Sequence, residues 1–282
     1  AFILSIEGVR PAKCDCNSYF VSFENMSCLV LVYVDDLLTM GDKTLCMWFL
    51  NQIKAKFSAG EIGIAQKYLG MDLVRDASGI TVCLKTFSLD LIKFAGLDKS
   101  NAVRTPLETG VVLSPRSEDE AQLTEEEHKF YRSVVGKLLY LAINTRPDLM
   151  FTTVNLAKYV ASPGQRHLSN LKRAIRYVVG TVDFGVFFPF VYANSWVLNV
   201  FADASWVAPR SYSGGAILLN DVLLSWFSRI QKVPALSTTE SELHALCDSI
   251  KDARFVETYL HDFLRLRIAQ VNVFTDNRGA EA

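Results

Sequence analysis

The chain has 282 residues, 50% of them hydrophobic and 21% charged, which excludes a disordered chain and provides core for one large domain or two ordinary ones. Its 29 Lys and Arg against 30 Asp and Glu leave a net charge of −1, short of the basic balance usual in a protein that grips nucleic acid. No apolar run reaches the ~18 residues of a membrane span, no signal-peptide pattern leads the chain, and the six cysteines lack the Cys-x-x-Cys spacing of a zinc site, so an intracellular protein with reduced thiols is expected.

Residues 1–27 begin without Met and read like the middle of a longer sequence, so an excised piece is expected. Residues 28–34, rich in Val and Leu, read as a strand buried on both faces, and residues 37–40 resume the apolar pattern, which puts Asp35 and Asp36 in the tight turn of a hairpin. Apolar residues at Leu45, Trp48, Phe49, Ile53 and Phe57 mark a helix over 44–57 that stops at Ser58-Ala59-Gly60. Residues 66–74 and 80–84 read as a strand pair joined across Asp76-Ala77-Ser78-Gly79, and 87–95 as a helix. Residues 100–121 are polar and punctuated by Pro106, Gly110 and Pro115, as a linker would be.

Thr124 stands three residues before Glu127, a capping box that opens a helix with the stripe Phe130, Val134, Leu138, Ala142. Pro147 and Ser162-Pro163-Gly164 bracket a second helix, and residues 166–179 form a third that carries the basic cluster Arg166, His167, Lys172, Arg173 and Arg176. From Trp196 the period becomes that of strands: 197–202 ending at Asp203, then 216–219 and 222–227 as a hairpin across Asn220-Asp221. Ser237 caps a helix through Leu243, Leu246, Ile250, Ala253 and Leu260, with Glu240 reaching back to the Ser237 amide, and a strand over 271–275 ends at Asp276.

Two places carry candidate chemistry. Adjacent carboxylates at Asp35 and Asp36 repel each other beside a core, which raises a carboxylate pKa unless a cation compensates; the plain alternative is a polar hairpin tip. If the strands ending at Asp203 and Asp276 are parallel neighbours joined through the helix, both acids lie beyond the strand ends, and the helix can aim Glu242 at the same point. Three converging carboxylates suit Mg²⁺, which prefers carboxylate and water oxygens. Each acid taken singly also reads as a turn or solvated residue, and His244 reads as a surface or packing histidine.

Tyr33-Val34-Asp35-Asp36 resembles the Tyr-X-Asp-Asp palm motif of reverse transcriptases. Tyr68-Leu69-Gly70-Met71, Arg104-Thr105-Pro106-Leu107, Tyr131-Arg132-Ser133-Val134-Val135-Gly136, Thr145-Arg146-Pro147-Asp148-Leu149 and residues 171–177 (LKRAIRY) follow in the order of the Pol region of copia-type (Pseudoviridae) LTR retrotransposons. Residues 201–206 (FADASW), 236–242 (LSTTESE) and Thr275-Asp276-Asn277, with Trp226 and Gln231, are similar to the ribonuclease H domain of the same polyprotein.

The resemblance implies an α/β (α+β) fold: a reverse-transcriptase palm and thumb remnant followed by a ribonuclease H-like mixed sheet with helices. The implied domains are 1–120 (C-terminal part of the palm), 121–185 (helical thumb or connection) and 186–282 (truncated ribonuclease H). It further implies RNA-directed DNA polymerase and hybrid-ribonuclease ancestry, with catalytic and metal-ligating roles for Asp35, Asp36, Asp203, Glu242 and Asp276. Mg²⁺ is the implied cofactor, with Mn²⁺ as an alternative. Implied partners are an RNA template, a DNA primer, RNA–DNA hybrid and the remaining parts of the Pol polyprotein, with no membrane. The implied setting is the cytoplasm and its virus-like particle, with the nucleus as a later stage. Such families use a further palm aspartate on an earlier strand and a last ribonuclease H carboxylate on a later helix, and neither is expected within 1–282. A decayed or co-opted remnant that binds nucleic acid or a partner without catalysis is the competing expectation.

Overall fold

The computed structural model describes residues 2–57, 60, 62–190, 193–207, 209–277 and 279. The expected helix stop at Ser58-Ala59 and the turn residue Arg278 lie outside them. The first sheet is antiparallel, in the order β1 (Val9–Pro11), β2 (Ser18–Phe23), β3 (Met26–Tyr33), β4 (Asp36–Gly41). Its β1 and β2 were not marked by any strand pattern read above. The β3 strand is not buried on both faces. Cys28 and Val30 point into a core with Val21, while Leu29 and Leu31 on the other face are half-buried. Helix α1 (Lys43–Lys56) covers the buried face with Leu45, Cys46, Phe49 and Ile53, and starts at Asp42, whose Oδ1 accepts from the Thr44 and Leu45 amides at 2.9 and 3.1 Å. Burial among these apolar groups pushes the Cys28 thiol up to about 12.

The second sheet, also antiparallel, is β5 (Lys67–Tyr68), β6 (Met71–Arg75), β7 (Gly79–Cys83) and β8 (Gly185–Pro189). The single strand expected over 66–74 is broken into β5 and β6 by Leu69-Gly70, both at positive φ (50° and 80°), the sign pattern of a two-residue hairpin turn. Its last member, β8, comes from beyond the expected boundary at 185 and pairs with β7 over Gly79↔Pro189 to Cys83↔Gly185.

Between these strands run α2 (Lys85–Phe94), α3 (Glu125–Asn144), α4 (Met150–Ala157) and α5 (Gln165–Gly180). The capping box forms as expected: Glu127 N donates to Thr124 Oγ1 and Thr124 N to Glu127 Oε2. Leu91, Ile92, Tyr131, Leu138, Leu141, Leu156, Leu171 and Ile175 make a second core. Residues 100–121 are less free than a linker. Arg166 binds Glu120 Oε2 (3.0 Å) and Ser114 Oγ (2.8 Å), Arg173 binds Thr105 Oγ1 (3.1 Å), and Arg176 binds the Asn101 carbonyl (2.7 Å). The basic cluster on α5 is thereby largely engaged in strapping this segment down rather than presented to solvent.

The third sheet has the order β11 (Val222–Ile230), β10 (Tyr212–Leu219), β9 (Trp196–Ser205), β12 (Ile268–Phe274). Only β12 and β9 pair in parallel, over Gln270↔Val197 to Phe274↔Phe201, as the pattern predicts. Helix α6 (Thr238–Asp262) packs on β9 and β10 through a third core of Leu198, Val200, Ile217, Ala253 and Leu260. No described helix is long and apolar enough to cross a membrane.

Candidate functional site

Val34 and Asp35 form the two-residue turn of the β3–β4 hairpin, while Asp36 is the first residue of β4, opposite Tyr33. The expectation that Asp35 and Asp36 share the turn is therefore corrected by one residue. Val34 has φ 52° and is 83% exposed. A β-branched residue in the left-handed region is strained by roughly 1–3 kcal/mol, so this tip is held open at an energetic cost. Both acids are exposed, and among the described residues no third carboxylate or histidine joins them as a cation-binding group. The Tyr68 hydroxyl lies close enough to feel Asp36 and Asp15, which add to burial in raising its pKa. Its own turn is braced by Tyr140, whose hydroxyl reaches the Leu69 carbonyl at 3.4 Å.

The structure does bring Asp203, Glu242 and Asp276 together. Each offers a carboxylate oxygen, and these oxygens lie within 4.8 Å of one another. Asp203 sits two residues inside β9 rather than at its end, because β9 continues to Ser205 opposite Tyr212. Asp276 follows β12 by two residues, and the parallel pairing sets the two acids side by side. Glu242 projects from the first turns of α6. Glu240, two residues earlier, is a capping residue, but its carboxylate accepts from the Leu236 amide (2.6 Å) and not from that of Ser237.

Burial raises the Asp203 pKa, and the Asp276 charge adds to it; burial likewise raises that of Glu242, with Asp203 and Asp276 adding repulsion. The Ala204 N–H works against both shifts by favouring the ionised forms. Glu242 is 7% exposed and its Oε2 has no hydrogen-bond partner among the described residues. A buried unpaired carboxylate oxygen is costly, and a divalent cation is the ligand that would satisfy it and the repulsion together. The donor set, all carboxylate oxygen, fits Mg²⁺ or Mn²⁺. Beside it opens a cleft of about 610 Å³ lined by Phe201, Asp203, Gly214, Gly215, Phe274 and Asp276, with the Phe201 and Phe274 rings stacked 4.8 Å apart.

Residues 8–109 match the family model described as reverse transcriptase (RNA-dependent DNA polymerase). The chain is 31% identical over 257 residues to the retrovirus-related Pol polyprotein from transposon RE1 of Arabidopsis thaliana, a match covering 89% of this chain and 17% of that protein. To the retrovirus-related Pol polyprotein from transposon TNT 1-94 of Nicotiana tabacum it is 28% identical over 275 residues, 93% of this chain and 20% of that one. The chain belongs to the copia-type retrotransposon Pol polyproteins. It spans about a fifth of the length of these relatives. It is also 36% identical over 127 residues to the secreted RxLR effector protein 161 of Plasmopara viticola, covering 44% of this chain and 88% of that protein.

The site features not marked beforehand are the buried brackets around it. Gln231, noted only as part of a pattern, is 4% exposed and fully hydrogen-bonded, and His244, half-buried, faces its side-chain oxygen at 3.3 Å. A glutamine that ends a strand run ahead of a Ser cap was the available signal.

Proposed function

We propose that this Pol chain combines a reverse-transcriptase palm hairpin and a helical connection with a ribonuclease H-type nuclease in its third sheet, acting on the RNA of an RNA–DNA hybrid. The observation that carries the reading is the carboxylate trio from three separate elements, with the Glu242 Oε2 buried and unpaired. Divalent ions bound there would activate water and stabilise the leaving oxygen of a phosphodiester. Asp203, Glu242 and Asp276 would hold them, and the Ala204 amide would keep Asp203 and Glu242 ionised. In the same reading Asp35 and Asp36 are the palm acids that hold the metal of nucleotide transfer, with RNA template and DNA primer as partners.

The test is cleavage of a labelled RNA–DNA hybrid in Mg²⁺. The chain is expected to cut the RNA strand, and Asp203→Asn and Asp276→Asn to lose at least about a hundredfold in rate, on the order of a missing metal ligand or its support. Cleavage indifferent to both substitutions, or none under any divalent cation, would overturn the nuclease reading. A second reading, a non-catalytic protein built from the same region, is favoured by one finding: the match to the RxLR effector spans nearly all of a short protein. Hybrid binding without cleavage by a folded chain is its expected signature.

A further inference from the structure

We infer that Gln231 is the positioning residue that aims Glu242 at Asp203 and Asp276, an inference that rests on the cation-site reading above. Gln231 directly follows β11 and is buried against the start of α6. Its main-chain N–H donates to the Ser211 carbonyl at 2.8 Å, which anchors it to the strand side. Its side-chain Nε2 donates to Ser213 Oγ at 3.1 Å and to the Ser241 carbonyl at 2.8 Å, and its Oε1 faces His244 Nδ1 at 3.3 Å. Ser213 pairs with Ala204, the neighbour of Asp203, and Ser241 directly precedes Glu242. One carboxamide therefore spans from the strand beside the first acid to the backbone that carries the second.

Only an amide serves here. It supplies two donors and an acceptor from one planar group, and each has a partner in place. A carboxylate would set lone pairs against the Ser241 carbonyl, and an aliphatic side chain would leave that carbonyl and the buried Ser213 hydroxyl without their donor. The Ser237 cap and the Glu240 bond to Leu236 at the helix start are exposed, and the part-buried bond from Ser241 Oγ to the Thr238 carbonyl stays within the helix's first turn, so none of these ties the helix to the strand side. Glu242 Oε2 has no hydrogen-bond partner among the described residues, and the carboxylate's contact is with the Ala204 N–H, so its aim depends on the helix backbone that carries it, which Gln231 ties to the strand side.

The experiment is Mn²⁺ titration of the whole chain, with the free-ion electron paramagnetic resonance signal as readout. It compares the unaltered protein with Gln231→Leu, Gln231→Glu, Asp203→Asn and Leu219→Ala, the last a core truncation at the distal end of β10. Unaltered protein is expected to bind and Asp203→Asn to lose the site. Both Gln231 variants are expected to bind about tenfold or more weakly, the usual effect of removing a group that orients a metal ligand. Leu219→Ala is expected to lower the melting temperature yet leave Mn²⁺ affinity unchanged. Gln231→Glu is close to isosteric and keeps the comparison alive if Gln231→Leu fails to fold. Unchanged affinity in the Gln231 variants, or equal weakening by Leu219→Ala, overturns the positioning role while leaving the cation site standing. No difference between unaltered protein and Asp203→Asn overturns the cation site itself.

Discussion

Asp203 and Glu242 are held in a state that opposes folding. Burial raises both pKa values, with repulsion from Asp276 added at Asp203 and from Asp203 and Asp276 at Glu242, so the folded chain binds protons there more tightly than the unfolded chain does. That contribution favours the fold at low pH and is lost as pH rises from the unfolded carboxylate value through the raised one. At pH 7 without divalent cations, Asp203→Asn should therefore raise the melting temperature, and Mg²⁺ should stabilise the unaltered chain more than the variant. Thermal unfolding with and without MgCl₂ checks this; an equal response to Mg²⁺ contradicts it. His167 acts with the opposite sign. Its Nδ1 accepts from the Gly164 amide at 2.9 Å and its Nε2 donates to the Ser114 carbonyl at 3.0 Å, so both ring nitrogens are committed to the neutral form. Burial lowers its pKa, and the Arg166 charge adds to that, outweighing the Ser114 carbonyl bond and the Glu120 charge, which raise it. The unfolded chain then takes up the proton first, and stability should fall as pH drops below about 6.5. Urea unfolding at pH 7.5 and 5.5 should show a smaller loss in His167→Asn, which retains an acceptor for the Gly164 amide.

Elements in the helical segment are joined by one buried cation. Arg146, 1% exposed, lies between α3 and α4, binds Asp148 through Nε and NH2 (3.0 and 2.7 Å), and reaches the Thr181 carbonyl and hydroxyl just past α5. Its guanidinium also lies over the Tyr177 and Phe184 rings. The group thus ties both ends of a 35-residue stretch, which explains why the Thr-Arg-Pro-Asp-Leu run is built as it is. Asp148→Ala should destabilise the chain by about 2–3 kcal/mol, because it leaves a desolvated charge with neutral partners only. In an Arg146→Met background the same change should cost much less, and denaturant midpoints for the four proteins measure the coupling. The second sheet closes by close approach. A Cβ on Gly185 would collide with the Val82 carbonyl oxygen, so β8 can pair with β7 only where that position has no side chain.

At the scale of the molecule, three cores form along the chain, from residues 2–53, 71–182 and 196–268, but the seams between them are unequal. The helical core and the third sheet are stitched together: Trp226 of β11 packs against the helical core and donates to the Ala142 carbonyl at 2.8 Å, and Tyr212 of β10 donates to Asn155 Oδ1 at 2.8 Å while its ring meets Phe151. The first sheet meets α6 through Ser18, which bonds Asp15 and lies 3.3 Å from the Tyr259 hydroxyl. Amides of α4 and β10 should therefore lose protection from hydrogen exchange at one denaturant concentration. Tyr212→Phe, which leaves a buried Asn155 oxygen unpaired, should lower both by about 1–2 kcal/mol. Loss confined to β10 would mean that the two cores open separately.

Local pattern by itself determined the helices α1 to α6, the Thr124 capping box and the β10–β11 hairpin across Asn220-Asp221, because each rests on short-range periodicity, caps and turn chemistry, and it allowed the parallel arrival of β12 beside β9 that the fold then makes. The three acids Asp203, Glu242 and Asp276 were legible for the same reason: strand ends and helix starts are local features that topology brings to one place. What only the tertiary structure decided lies at long range. β8 joins a sheet about a hundred residues upstream, and two hairpin registers depended on which residue takes positive φ, so Asp36 left the turn and Leu69-Gly70 split a strand. The basic face of α5 was chosen for strapping residues 100–121, since the Arg166 guanidinium is satisfied there by Glu120 and the Pro115 carbonyl, and that of Arg176 by the Asn101 carbonyl. Burial of the Glu242 oxygen and its alignment by Gln231 are likewise products of packing, because which polar atoms lose water is settled only when distant strands and helices close over them.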